Sequence, residues 1–202
     1  MNADIFRRGI AGPRIYFVGS HATGKTTMTK WVSHCYGLPM ITETARAVLN
    51  ELETNLVSLR ADIDFADRYQ RLVFARQQAV EVVTAEKGGF VSDRAFDNLA
   101  YAAEHSRVLP ELIAAEEFPS YVQWIKGGIV FFVRPHKSLL ADDGVREPPD
   151  WDAVVRIDGM VKILLELHGI KYLPINTPSK QERVNTVDFV LASRGIKPVG
   201  GP

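Results

Sequence analysis

The eight residues from Gly19 to Thr26, GSHATGKT, constrain this chain more than any other stretch. Two glycines bracket four variable positions, and Lys-Thr follows the second, which is the pattern of a loop that wraps phosphate. An apolar run, Arg14–Val18, leads into the loop, and a helical pattern, Lys25–Tyr36, leads out of it. The spacing follows from chemistry. Glycines let the backbone curl until successive N–H groups point inward at an anion, and the helix start adds its positive dipole end. Lys25 is expected to reach the β and γ phosphates of a nucleoside triphosphate, and the Thr26 hydroxyl to ligate Mg²⁺. Gly19, Ser20, His21, Ala22, Thr23, Gly24, Lys25, Thr26 and Thr27 form the expected phosphate-binding set.

A loop of this kind needs a strand before it and a helix after it, and the rest of the chain repeats that alternation. Five short apolar stretches read as strands: Arg14–Val18, Leu38–Thr42, Gly89–Ser92, Ile129–Val133 and Lys171–Ile175. Most lack apolar–polar alternation, as suits strands covered on both faces of a parallel sheet. Helical patterns fill the gaps at Lys25–Tyr36, Thr44–Leu52, Asp62–Lys87, Asp97–His105, Trp151–His168 and Ser179–Arg194, with Pro110–Lys126 read as part of a helix pair. The expected fold is α/β: a single three-layer sandwich over residues 1–202, with a five-stranded parallel sheet and helices on both faces. The segment 134–150, RPHKSLLADDGVREPPD, is polar, charged and proline-rich, and is expected to form a lid.

Ligands of such sheets sit at the carboxyl ends of the strands, so the ionisable residues found there are the candidates. Glu43 and Arg46 follow the second strand, and Asp93 and Arg94 follow the third. Arg134 and His136 follow the fourth, and the lid carries Asp142, Asp143, Arg146 and Glu147. Asp93 has the position of the acid that holds Mg²⁺ together with Thr26, and Glu43 that of a general base for an acceptor hydroxyl. Arg94 and Arg146 are candidate clamps on phosphoryl oxygens. The expected catalytic set is Lys25, Glu43, Asp93, Arg94 and Arg146.

On Asp62–Lys87 the apolar face reads as Phe65, Tyr69, Leu72, Val73, Val80 and Val83, with Arg76 among them. An arginine on a buried face must be paired or turned into a polar cavity, so Arg76 joins Glu43, Arg46 and Arg94 as an expected acceptor contact. Snorkelling to the helix edge is the alternative. Gln77 and Gln78 beside it are further candidates for reading an acceptor.

Charge narrows the partners. The chain carries 24 basic and 24 acidic side chains, so no global positive field draws it to nucleic acid or anionic membrane, although a local basic groove stays open. The lone cysteine, Cys35, cannot build a disulfide framework, and no Cys/His cluster has zinc spacing. No apolar run approaches a bilayer span, and the N-terminal residues lack a signal-peptide core, so a cytoplasmic protein without membrane partners is expected.

FVGSHATGKTT, ETAR, SDR, DDGVRE and QERVNTVDFVL together resemble the small P-loop kinase family. That family includes the ribosylnicotinamide kinase domain of bacterial NAD-biosynthesis regulators and, more distantly, is similar to thymidylate and deoxynucleoside kinases. The resemblance covers about Arg14 to Leu191. It implies a P-loop NTPase fold, ATP with Mg²⁺, a lid arginine (here Arg146) approaching the phosphates, and an adenine site bordered by Asn176, Pro178 and Arg183. The acceptor it implies is a nucleoside, a nucleotide or a similar hydroxyl compound. The sequence holds no counterpart of an adenylyltransferase or a helix-turn-helix, so a stand-alone kinase is expected rather than the bifunctional regulator. Some viral relatives phosphorylate 5-hydroxymethyluracil within DNA, which makes modified DNA an alternative acceptor. A P-loop ATPase or switch protein is the alternative of a different class.

Overall fold

The computed structural model describes residue 6 and residues 12–42, 44–52, 62–140 and 150–199. Glu43 and the greater part of the expected lid, including Asp142, Asp143, Arg146 and Glu147, lie outside the described residues. Along the chain the elements are β1 (Arg14–Val18), α1 (Lys25–Tyr36), β2 (Met40–Ile41), α2 (Thr44–Glu51), α3 (Ile63–Ala85) and β3 (Phe90–Ser92). They continue with α4 (Asn98–His105), α5 (Leu109–Ala114), α6 (Phe118–Lys126), β4 (Ile129–Val133), a 3-10 turn at Lys137–Leu139, α7 (Trp151–Leu167), β5 (Leu173–Ile175) and α8 (Lys180–Ser193).

The five strands are parallel, in the order β2-β3-β1-β4-β5, so the strand that feeds the glycine loop is central. In register, Ile15 lies beside Val91 on one side and Ile129 on the other. Ile15, Tyr16, Phe17 and Val18 are all wholly buried, because each face of the sheet has its own apolar layer. Ile15 and Phe17 meet Met28 and Val32 of α1 and Val187 and Leu191 of α8. Tyr16 and Val18 face the opposite layer, built from Phe74 of α3, Leu99 of α4, Tyr121 of α6 and Ile157 and Leu164 of α7. This architecture is the expected one.

The edges are shorter than the sequence suggests. A strand at an edge has a ladder partner on one side only, and β2 keeps two residues of the five in Leu38–Thr42. In β5, Pro174 lacks an N–H to donate and is exposed, as an edge position allows. Extended backbone at Ala115 splits Pro110–Lys126 into α5 and α6.

One helix face is corrected. The inner face of α3 is Ala66, Tyr69, Gln70, Val73, Phe74, Gln77, Gln78, Glu81 and Ala85, whereas Leu72 and Val83 are exposed. Arg76 is therefore outside, its guanidinium 2.5 Å from Glu51 of α2 in a pair open to water. The assumption of an apolar interior assigned the period wrongly, since Gln70, Gln77, Gln78 and Glu81 occupy the true inner face.

Candidate active site

The phosphate loop begins where β1 ends. Gly19 is in the left-handed half of backbone space (φ +143), and a Cβ there would lie 2.5 Å from the Val133 carbonyl oxygen, so the close approach of β4 requires glycine. Gly24 (φ +87) caps α1 without a side chain, which leaves the first-turn amides of the helix without a side-chain cap. Lys25, 7% exposed, folds back so that Nζ donates to the carbonyls of Gly19 (2.9 Å) and Ser20 (2.6 Å). Burial, and then the positive charge of Arg94, lower its pKa to about 8. The Thr23 hydroxyl donates to Ser20 O at 3.0 Å and closes the turn.

Across the mouth of the loop stands the end of β3. The Thr26 hydroxyl donates to Asp93 Oδ2 at 2.6 Å, joining residues 67 positions apart. Two hard oxygen donors side by side suit Mg²⁺, which takes one or two protein oxygens and fills its shell with water and phosphate. Among the described residues no group of three or more His, Cys, Asp or Glu could hold a metal by itself. Arg94 follows Asp93, half-buried, with its guanidinium carbon 4.4 Å from the centre of the Tyr101 ring.

The turn carrying Asp93 and Arg94 is fixed from beneath. Ser92 Oγ donates to Arg94 O at 2.6 Å, and Gln77 Nε2 donates to the same carbonyl at 3.0 Å. The Gln77 amide is also 2.9 Å from Glu81 Oε1. Glu81 is wholly buried and accepts from four donors: Gln77, Tyr121 OH (3.0 Å), Tyr16 OH (3.0 Å) and Trp124 Nε1 (2.9 Å). Burial raises its pKa to about 7 despite those donors. Asp97, also buried, accepts from Ala95 N at 2.8 Å and from Gly19 N at 3.3 Å.

On the other flank a cavity of about 240 Å³ is lined by Ala22, Thr27, Met28, Leu139, Pro178 and Arg183, among others. Arg183, 4% exposed, donates through Nη1 to Thr23 O at 2.5 Å and through Nε to Thr177 O at 2.7 Å, so it pins the loop to the end of β5.

The structure thus brings together Gly19–Thr27, Asp93 and Arg94, with Pro178 beside the loop. Asn176 is exposed and is not among the residues lining the cavity. His21 is half-buried, its ring 6.4 Å from that of Tyr101. Arg46 is exposed on α2. The premise that put Arg76 at an acceptor, a place on a buried face, does not hold. Arg134 is engaged with Asp158 of α7 at 2.6 Å. Gln77 is spent on the Arg94 carbonyl. Asp97 and Glu81 were not foreseen. Asp97 reads as an ordinary helix cap, and Glu81 falls on what a periodicity count takes for the wet face of α3.

Residues 14–183 match the family model described as AAA domain. No curated protein matches the sequence. Among solved structures, NadR in complex with NR superposes with a TM-score of 0.72 at 16% identity over 100% of this chain and 56% of that one. NadR with NAD and AMP-PNP gives 0.66 at 16% identity, covering 95% and 52%, so the chain spans about half the length of these NadR structures. Deoxyadenosine kinase from M. mycoides, with products dcmp and dcdp, gives 0.60 at 11% identity over 89% and 99%. Among the described residues no helix is long and apolar enough to cross a membrane. The match from β1 to Arg183 spans most of the sequence, and the chain belongs to the AAA domain family, built on a P-loop kinase fold.

Proposed function

We propose that this chain is an ATP-dependent kinase that transfers the γ-phosphate to a hydroxyl of a nucleoside- or nucleotide-type acceptor, in the cytoplasm. One observation carries the reading: the Thr26–Asp93 oxygen pair, 2.6 Å apart, joins the phosphate loop to the end of β3, with Lys25 close enough to feel the charges of Asp93 and Arg94. An oxygen pair with two cations in its neighbourhood is what a phosphoryl group in flight needs, because catalysis of its transfer is mostly positioning and charge neutralisation. The fold shared with NadR and deoxyadenosine kinase supports a nucleoside-like acceptor.

In this reading Thr26 and Asp93 hold Mg²⁺, which when bound neutralises charge on the β and γ phosphates. Lys25 exchanges the Gly19 and Ser20 carbonyls for phosphate oxygens. The amides that follow Gly19, from Ser20 to Thr27, hold the phosphate chain, with Gly19 supplying the turn that opens the loop, and Ala22, Thr27, Pro178 and Arg183 border the base. Asn176 and His21 stand further out. Glu43 takes the proton of the acceptor hydroxyl as its oxygen bonds to the γ-phosphorus, and the bond to the departing ADP oxygen breaks. Arg94 steadies the transferring oxygens, Arg146 serves as a second clamp on them, and Arg46 flanks the acceptor.

The test is incubation with labelled ATP, Mg²⁺ and a panel of nucleosides, nucleotides, nicotinamide riboside and 5-hydroxymethyluracil DNA. Transfer to a small hydroxyl compound is expected. Label on the DNA alone would move the reading to DNA modification. Hydrolysis stimulated by a protein but by no acceptor would replace it with an ATPase switch.

A further inference from the structure

Asp97 breaks a local rule. It sits at the N-cap of α4, where an aspartate ordinarily accepts hydrogen bonds from the second or third amide of its own helix, yet its side chain makes no such bond. The carboxylate is turned the other way and wholly buried. Oδ1 takes the amide of Ala95, 2.8 Å away in the turn that follows Asp93 and Arg94, and Oδ2 takes the amide of Gly19, 3.3 Å away, at the start of the phosphate loop. These bonds join two segments 78 residues apart in the chain. The charge of Asp97 is felt by both Lys25 and Arg94, which repel each other. Giving up a helix cap and burying an anion is unfavourable locally, and such local violations gather at working sites.

Resting on the kinase reading above, we propose that Asp97 is a positioning residue: its buried carboxylate ties the first amide of the phosphate loop to the turn bearing Arg94, so that the nucleotide side and the acceptor side of the site keep one spacing. The tie acts through Gly19 and Ala95 and does not touch the reacting atoms. A negative charge that acts on both cations also weakens the pull of the site on a polyanion, so the residue serves alignment at the expense of affinity.

That opposition gives the test. In Asp97→Asn one amide hydrogen bond is lost, because an NH₂ cannot accept from a second N–H, and the charge disappears while the shape remains. Asp97→Ser, a good helix cap without charge, is the companion variant. Four measurements are made on the full chain: urea unfolding, binding of a fluorescent ATP analogue, steady-state ATP turnover with Mg²⁺, and the amide proton shift of Gly19. The expected result for both variants is unfolding within a small margin of the parent and analogue affinity equal or tighter. Turnover is expected to fall by about 10-fold to 100-fold, the scale on which small misplacements act. The Gly19 amide is expected to move upfield. Turnover within twofold of the parent overturns the proposal. So does a loss of affinity that tracks a loss of stability, or failure of both variants to fold, since either would make Asp97 a structural residue only. If the parent itself binds no ATP analogue, the kinase reading falls first. If the parent binds but does not turn over, an unmoved Gly19 amide with unchanged affinity still refutes the tie.

Discussion

Replacing Glu81 by glutamine exposes a competition that the structure makes quantitative. Among the described residues no cation lies at ion-pair distance from the carboxylate, and it is wholly buried, which favours its neutral form, while four donors converge on it and favour the anion. Burial wins, and the pKa rises from 4.5 to about 7. A carboxyl whose folded pKa lies above its unfolded value stabilises the fold fully below the unfolded value, and that contribution is lost as pH rises through the folded one. At ~1.4 kcal/mol per pKa unit, the parent loses ~3 kcal/mol of stability from this group between about pH 4.5 and somewhat above 7.

Glu81→Gln cannot titrate, and it cannot satisfy all four donors either. With its NH₂ toward Tyr16 and Trp124, the indole N–H is stranded. With its NH₂ toward Tyr121 and Gln77, the Gln77 amide is stranded, because turning that amide over would set its oxygen against the Arg94 carbonyl. The tyrosine hydroxyls can reverse; the other two donors cannot. One stranded buried donor costs ~1–3 kcal/mol. At about pH 5 the variant is thus expected to be less stable than the parent by roughly that amount. By about pH 8 the gap should have narrowed by ~2–3 kcal/mol, enough to vanish or change sign. Urea unfolding of both proteins at several pH values reads this difference directly, and groups common to both cancel in it. A gap that stays flat across the range would refute the reasoning, since it would mean that the four donors hold Glu81 ionised and that burial does not dominate.

Three further outcomes are expected. Lys25→Ala should lower phosphoryl transfer by about 10²-fold or more in a labelled-ATP assay, and near-normal activity would sink the phosphate-site assignment. Gly24→Ala places a Cβ at φ +87 and 2.8 Å from Arg183 Nη1, an arginine already bound to Thr23 and Thr177. A left-handed alanine costs ~1–2 kcal/mol, so a lowered melting temperature and weakened nucleotide binding should appear together, the second by titration of a fluorescent nucleotide. Glu43→Gln should cut kcat while leaving ATP affinity largely intact, and parallel loss of both would remove Glu43 from the role of base.

What could be foreseen follows from how far each signal reaches along the chain. The phosphate loop is eight contiguous residues with one backbone solution, so Gly19, Lys25 and Thr26 were legible outright. Asp93, though 67 positions from Thr26, was legible through a rule of topology, since ligands gather where parallel strands end. The support beneath the site was not legible. Gln77, Glu81 and Asp97 are polar residues in dry places, and patterning sorts residues by the average solvent preference of their type. Each is tolerable inside only because partners from other elements complete it: Tyr16, Tyr121 and Trp124 around Glu81, and Gly19 beside Asp97. Arg76 failed in the mirror-image way, placed inside by the same count that placed Glu81 outside.

The bond from Arg183 to Thr23 spans 160 residues and bears on how the protein comes to exist. The glycine loop is local in sequence, but its seat is not. β1 pairs with β3 and with β4, far along the chain, Asp93 and Asp97 then engage the loop, and its last tie forms when α8 arrives. A chain emerging from the ribosome therefore carries the motif long before it owns the site, and must close long-range contacts to obtain it. Non-local closure of this kind is slow, and a ligand that binds only the finished form adds to that form's stability. If the chain is the kinase proposed above, ATP acts on it twice, as a reactant and as a brace for the last step of its own folding.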